Sequence, residues 1–176
     1  GRSPSGRHPG GIAFAMILLR SSTNPRWFAA GRSHLGALLS DHLHCERKAA
    51  ENALSLIRRY PHQSDMVERL TRLAHEETSH LVQVAGLMAQ RGLTTRADSP
   101  NRYARGLMAE IRSGEPERRM DALLCAALIE ARSHERLSLL GVGFAEEGEQ
   151  QLATFYQALA SAEERHAELF VELATR

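Results

Sequence analysis

The run "SAEERHAELF" at residues 161–170 places Glu163, Glu164, His166 and Glu168 in ten residues of helical-looking sequence. Acidic clusters on helices usually face water. Here the acids separate by spacing. Glu163 and His166 share a stripe with Leu159 and Phe170, three and four residues apart, whereas Glu164 and Glu168 lie four apart on another face. The first pair is expected to point inward and the second to be solvated.

The same arrangement recurs along the chain. Ala, Leu, Glu and Arg dominate, apolar residues recur at three-and-four spacing, and strand signals are scarce. The pattern predicts a first helix over about Ser33–Arg59, capped by Ser33 and ended at Tyr60-Pro61. A second runs over about Ser64–Gln90 and stops at "RG". A loop-rich crossover over 92–116 holds a short helix near Arg102–Arg112. A third long helix runs over about Pro116–Leu140 and ends at "GVG", and a fourth over about Glu147–Thr175. Four helices of this length, with one long crossover between the second and third, predict an all-α four-helix bundle.

Every long helix carries a Glu within its apolar stripe. Glu46 lies between Leu39 and Ala53, Glu77 between Leu73 and Leu81, Glu130 between Leu123 and Leu137, and Glu163 between Leu159 and Phe170. The second and fourth helices add a His three residues later, in "ETSH" (77–80) and "EERH" (163–166). An ionised carboxylate in a core costs several kcal/mol unless it is paired or bound to a metal, and four converging ones repel each other. A single Glu-x-x-His is ordinarily explained by solvent, or by pairing with an arginine such as Arg47, Arg132 or Arg165. Two such motifs, with one Glu on each remaining helix, instead match the ligand pattern of di-iron carboxylate bundles.

An internal duplication supports this set. Glu46 precedes Glu77 by 31 residues and Glu130 precedes Glu163 by 33, and "ERKAAE" (46–51) aligns with "EARSHE" (130–135). The alignment selects Glu46 and Glu130 over Glu51 and Glu135, which lie about 140° further around the helix at the α-helical step and read as supporting or surface groups. His42 and His134 lie one turn from a selected Glu and are read as cavity-lining or supporting groups rather than ligands. Tyr156, two turns before Glu163, is within reach of a hydrogen bond to the site, but packing is its plainer role. His44 and His75 read as peripheral, and Cys45 as core.

The totals set outer limits. A chain of 176 residues, 43% hydrophobic, suits one domain with a substantial core. No apolar run is long enough to span a bilayer. "IAFAMILL" (12–19) follows basic residues like a signal-peptide core, but "RSSTNPRW" after it offers no small-residue cleavage pattern, so a cytoplasmic location is expected. Residues 1–22 read as a partly disordered tail and 23–176 as the bundle domain. Cys45 and Cys125 both fall in helical patterns, which argues against a disulfide framework. Residues 1–40 hold Arg2, Arg7, Arg20, Arg26 and Arg32 and no acid, and residues 91–120 hold seven Arg against four acids. With the four stripe carboxylates set aside, 22 Lys and Arg face 17 acids, an exterior of about +5 that suits a polyanionic partner.

Several segments together carry a family resemblance: "TNPRW" (23–27), "LLSDHLHCERKAAENALSLIRRYP" (38–61), "LAHEETSHLVQV" (73–84), "LIEARSHERL" (128–137) and "FYQALASAEERHAELFVELA" (155–174). The chain resembles the bacterial tRNA hydroxylases known as MiaE over about residues 23–175. Paired Glu-x-x-His motifs alone are shared with ferritins and rubrerythrins, whereas "DHxxCExKAA" and "ExRSxER" are more specific. The resemblance implies a ferritin-like fold and a non-haem di-iron monooxygenase. It implies O2-dependent hydroxylation of the isopentenyl group of 2-methylthio-N6-isopentenyladenosine, beside the anticodon of tRNA. By motif, the metal and catalytic residues are Glu46, Glu77, His80, Glu130, Glu163 and His166, holding two iron ions (Fe2+/Fe3+) with O2 as co-substrate. It further implies the tRNA anticodon loop and an external reductase as partners, no membrane, and a monomer or small homo-oligomer. The competing reading is a ferritin- or rubrerythrin-like protein for iron oxidation, storage or peroxide scavenging.

Overall fold

The computed structural model describes residues 19–176, in which six helices and no strands occur. The tail expected over 1–22 and the apolar run at 12–19 therefore lie mostly outside the described residues, as do Arg2 and Arg7. Among the described residues, no helix is long and apolar enough to cross a membrane. The chain divides into two compact units, one of Pro25–Asn101 and one of Arg102–Arg176 with the residues up to Asn24.

The Pro25–Asn101 unit contains α1 (Trp27–Ser33), α2 (Leu35–Arg59) and α3 (Ser64–Gln90). Helices α2 and α3 pack together as a hairpin about the turn at Tyr60–Gln63, and α3 has the bounds the sequence predicts. The start of α2 differs. Ser33 caps nothing: it is the last residue of the short α1, and its hydroxyl donates to Ala29 O (2.7 Å). The chain breaks at His34 instead, where φ is −132°. Helix α3 ends at Gly92, whose φ of +63° favours glycine. Gly92 N–H donates to Ala89 O and Leu93 N–H to Met88 O, a Schellman closure. The segment after it returns along α2. Ser40, only 2% exposed, accepts the Arg96 N–H (2.8 Å), His44 Nε2 donates to Arg96 O (2.8 Å), and Asp98 pairs with Arg47 and Lys48.

The second unit contains α4 (Arg102–Ala109), α5 (Glu117–Glu146) and α6 (Gln150–Ala174). Helix α5 does not stop at "GVG" but runs six residues past Leu140, and α6 correspondingly begins at Gln150. The glycine signal has a tertiary cause. At Gly141 α5 and α6 approach closely: a Cβ there would stand 2.8 Å from Gln157 Cγ and 3.3 Å from the Gln157 backbone nitrogen. The actual stop is Gly148, at φ +78°, with Gly148 N–H on Ala145 O and Glu149 N–H on Phe144 O. Nearby, the fully buried Tyr156 stacks on Phe144 at 5.7 Å and meets Phe155 edge-on at 5.2 Å, the packing role expected of it. Arg112 forks onto both oxygens of Asp121, tying the connection before α5 to that helix.

In an open helix, Gly→Ala gains up to about 1 kcal/mol of propensity. At Gly141 the added methyl overpacks the α5–α6 contact, so Gly141→Ala is expected to destabilise by about 1–3 kcal/mol. Thermal unfolding followed by circular dichroism checks the sign. A melting temperature equal to or above the wild type would show that the close approach is not as described.

Candidate metal centre

All six side chains selected from the sequence are buried. Glu77 is 0% exposed, Glu163 and His166 are 3%, Glu46 and Glu130 are 4%, and His80 is 6%. The helical register explains why. In α2, Glu46 takes one turn of the stripe that buries Leu39, Ala53 and Leu56, and in α3 the i, i+3 pair Glu77 and His80 follows Leu70 and Leu73. Glu130 follows Leu123 and Ala127 in α5, and Glu163 and His166 fall between Leu159 and Phe170 in α6.

Within the Pro25–Asn101 unit, Glu46, Glu77 and His80 each offer a ligand atom within 4.8 Å of the others. His80 Nδ1 lies 3.3 Å from Glu46 Oε2 and 3.5 Å from Glu77 Oε2. The other oxygen of Glu46, Oε1, lies 2.6 Å from Nε2 of His42, itself only 7% exposed. In the second unit, His166 Nδ1 lies 3.9 Å from Glu163 Oε1, and Glu130 is buried on α5.

Charge is redistributed among these groups. Burial alone would raise the Glu46 carboxyl, but His42 and His80 override it and hold it well below the ordinary carboxylate range. Burial would likewise discharge His80, but Glu46 and Glu77 push it from the ordinary 6.5 up to about 9. With no metal bound, the raised His80 pKa favours a charged ring beside Glu46 and Glu77. The donor set suits a divalent transition metal: carboxylates and imidazoles, gathered within bonding reach and shut away from water. Glu46 Oε2 fits the same reading, since it is buried and its contact with His80 lacks hydrogen-bond geometry.

The remaining candidates fall elsewhere. Glu51 is exposed and pairs with Arg47. Glu135 is half-buried and accepts from the Thr23 N–H (2.8 Å), the Thr23 hydroxyl (2.5 Å) and Arg132, so it anchors the chain ahead of α1. Arg132 also lies over the Tyr103 ring, 5.6 Å from its centroid. His134 Nδ1 donates to Ala160 O (2.7 Å) and joins α5 to α6. His75 is exposed and Cys45 half-buried, not core. Glu164 and Glu168, expected to be solvated, are half-buried. Sequence reading missed Ser40 altogether; its only signal is a small polar residue beside the apolar Leu39.

The chain is also similar to known proteins. The model of the family described as tRNA-(MS[2]IO[6]A)-hydroxylase (MiaE) matches residues 12–176. The chain is 41% identical, over 86% of its length and 72% of the relative's, to the tRNA 2-(methylsulfanyl)-N(6)-isopentenyladenosine(37) hydroxylase of Pseudomonas putida. It is 28% identical, over 95% of its length and 78% of the relative's, to the Salmonella typhimurium protein of the same name. A solved structure of protein 43 with aldehyde deformylating oxygenase activity, from Synechococcus, superposes with a TM-score of 0.84 at 38% identity. It covers 90% of this chain and 77% of the other. The fold is all-α and ferritin-like, as the sequence predicts.

The His80 environment makes a testable statement about the metal-free protein. Its folded value lies above the ordinary one, so protonation stabilises the fold fully below pH 6.5, and that contribution is lost as pH rises through about 9. Nitrogen-15 NMR of the ring should show His80 charged at pH 7, with Glu46→Gln lowering its midpoint. A wild-type midpoint at or below 6.5 would contradict the pairing with Glu46 and Glu77.

Proposed function

We propose, from the premise that the chain belongs to the MiaE family of tRNA hydroxylases, that Glu46, Glu77, His80, Glu130, Glu163 and His166 together hold two iron ions. The chain is an enzyme, a hydroxylase of 2-methylthio-N6-isopentenyladenosine in tRNA. The observation that carries the metal reading is the burial of four carboxylates and two imidazoles at 0–6% exposure. Three of them are already within 4.8 Å of one another on one helical hairpin.

Iron held there would supply the redox chemistry that activates O2 and inserts one oxygen atom into a C–H bond of the isopentenyl group. Insertion with release of the second atom as water consumes two electrons and two protons, so an external reductase is the implied partner. The four carboxylates offset the charge of two divalent cations, and the two imidazoles complete a ligand set that leaves positions open. The apolar side chains around them, Leu39, Leu70, Leu123 and Leu159 among others, exclude water from the reacting centre. The exposed Arg20, Arg26, Arg32, Arg96, Arg102, Arg105 and Arg118 offer cations for the tRNA backbone near the anticodon. A cytoplasmic location follows from the tRNA substrate.

The activity named for the Synechococcus relative favours a second reading, oxygen chemistry on an aldehyde at the same centre. One experiment separates the two. Iron-loaded protein, O2 and a chemical reductant are given either tRNA carrying the prenylated base or an aliphatic aldehyde. Nucleoside mass spectrometry should show the prenylated base gaining one oxygen atom, and the aldehyde should remain. Loss of aldehyde with unmodified tRNA would reverse the assignment. Loss of a residue that merely supports a metal ligand costs roughly 10–100-fold in metal affinity or activity. Glu130→Ala, which removes a proposed ligand outright, is expected to exceed that range and to lower the iron content. Full iron occupancy in Glu130→Ala would show Glu130 to be misassigned.

A further inference from the structure

In α2 the residue four before Glu46 is His42, buried, with Nε2 2.6 Å from Glu46 Oε1. An ionised carboxylate only accepts hydrogen bonds, so at this distance Nε2 of His42 must carry the hydrogen and donate it. Helical geometry fixes the contact, since residues four apart stand one above the other on one face.

We propose that His42 is a positioning residue that commits Glu46 Oε1 to a hydrogen bond and leaves Oε2 as the metal-binding oxygen. The proposal rests on the dinuclear reading and deepens it. Three observations support it. Oε1 is engaged by a short, buried contact. Oε2 is buried without a hydrogen bond of its own and is the oxygen that faces His80, at 3.3 Å. A carboxylate with one oxygen so held cannot rotate freely to chelate with both. A donated hydrogen bond also withdraws electron density from the carboxylate, so a metal bound through Glu46 would be more electron-poor than it would be without His42.

The test uses the full chain and Co(II) alone as the probe. Titration is followed by visible absorption, with metal analysis for stoichiometry. Wild type should bind two Co(II) in two distinguishable steps. His42→Leu keeps the bulk but not the donor and should weaken one step by roughly 10–100-fold, leaving the other. His42→Gln places an amide N–H near the position of Nε2 and should restore binding close to wild type. Unchanged binding in His42→Leu, equal weakening of both steps, or a His42→Gln variant as weak as His42→Leu each overturns the proposal. Wild type that takes up no Co(II) contradicts the dinuclear reading itself, and the proposal falls with it. A second arm needs no variant. In the metal-free wild type, nitrogen-15 NMR should find the His42 ring hydrogen on Nε2, and a ring carrying hydrogen on Nδ1 alone overturns the assignment.

Discussion

A carboxyl group removed from water into an apolar interior is costly to ionise, and this chain buries four, Glu46, Glu77, Glu130 and Glu163, none more than 4% exposed. In the α2–α3 hairpin part of the cost is met inside the protein. The His80 ring sits against Glu46 and Glu77, which raise its pKa, and His42 donates to Glu46. On the proposed reading a cation would replace the proton on His80 and neutralise the same carboxylates. The polar groups that would weaken an ordinary core are thus the reason for this one.

Holding such a set requires rigid supports, and each unit provides a tight helical hairpin. Gly141 lets α5 and α6 approach until a methyl group would collide with Gln157, and His134 bonds across the same pair to Ala160 O. The turn at Tyr60–Gln63 joins α2 to α3 with little slack. Ser40 and His44 pin both sides of the Arg96 peptide, so the long connection after α3 runs in register with α2. Glu135 and Arg132 hold Thr23. None of these contacts touches the six ionisable side chains, but together they fix the backbones from which those side chains project.

The parts legible in the sequence were those set by period. The apolar stripe at three-and-four spacing placed α3 at Ser64–Gln90 and put all six Glu and His residues inside. Local punctuation was less trustworthy, because the same residues serve tertiary needs. "GVG" has the look of a helix stop, yet Gly141 is small to admit α6, and Gly148, with its positive φ, ends the helix. Ser33 looks like a cap and instead closes α1 from within. In α2, Ala50 and Ala53 are buried while Ala49 is not, a difference of one step that pattern alone cannot resolve. Ser40, Glu135 and His134 owe their roles to partners 26 to 112 residues away, which no local pattern encodes.

Membership of the MiaE family supplies the substrate, while the buried carboxylates and imidazoles fit the iron proposed for the site. The sharpest check is anomalous diffraction at the iron edge from a crystal of the iron-loaded protein. A dinuclear centre predicts two iron peaks per chain, one bonded through Glu46 and one through Glu130, with Glu77, His80, Glu163 and His166 completing the set. A single peak, or iron bound away from these six side chains, would contradict it.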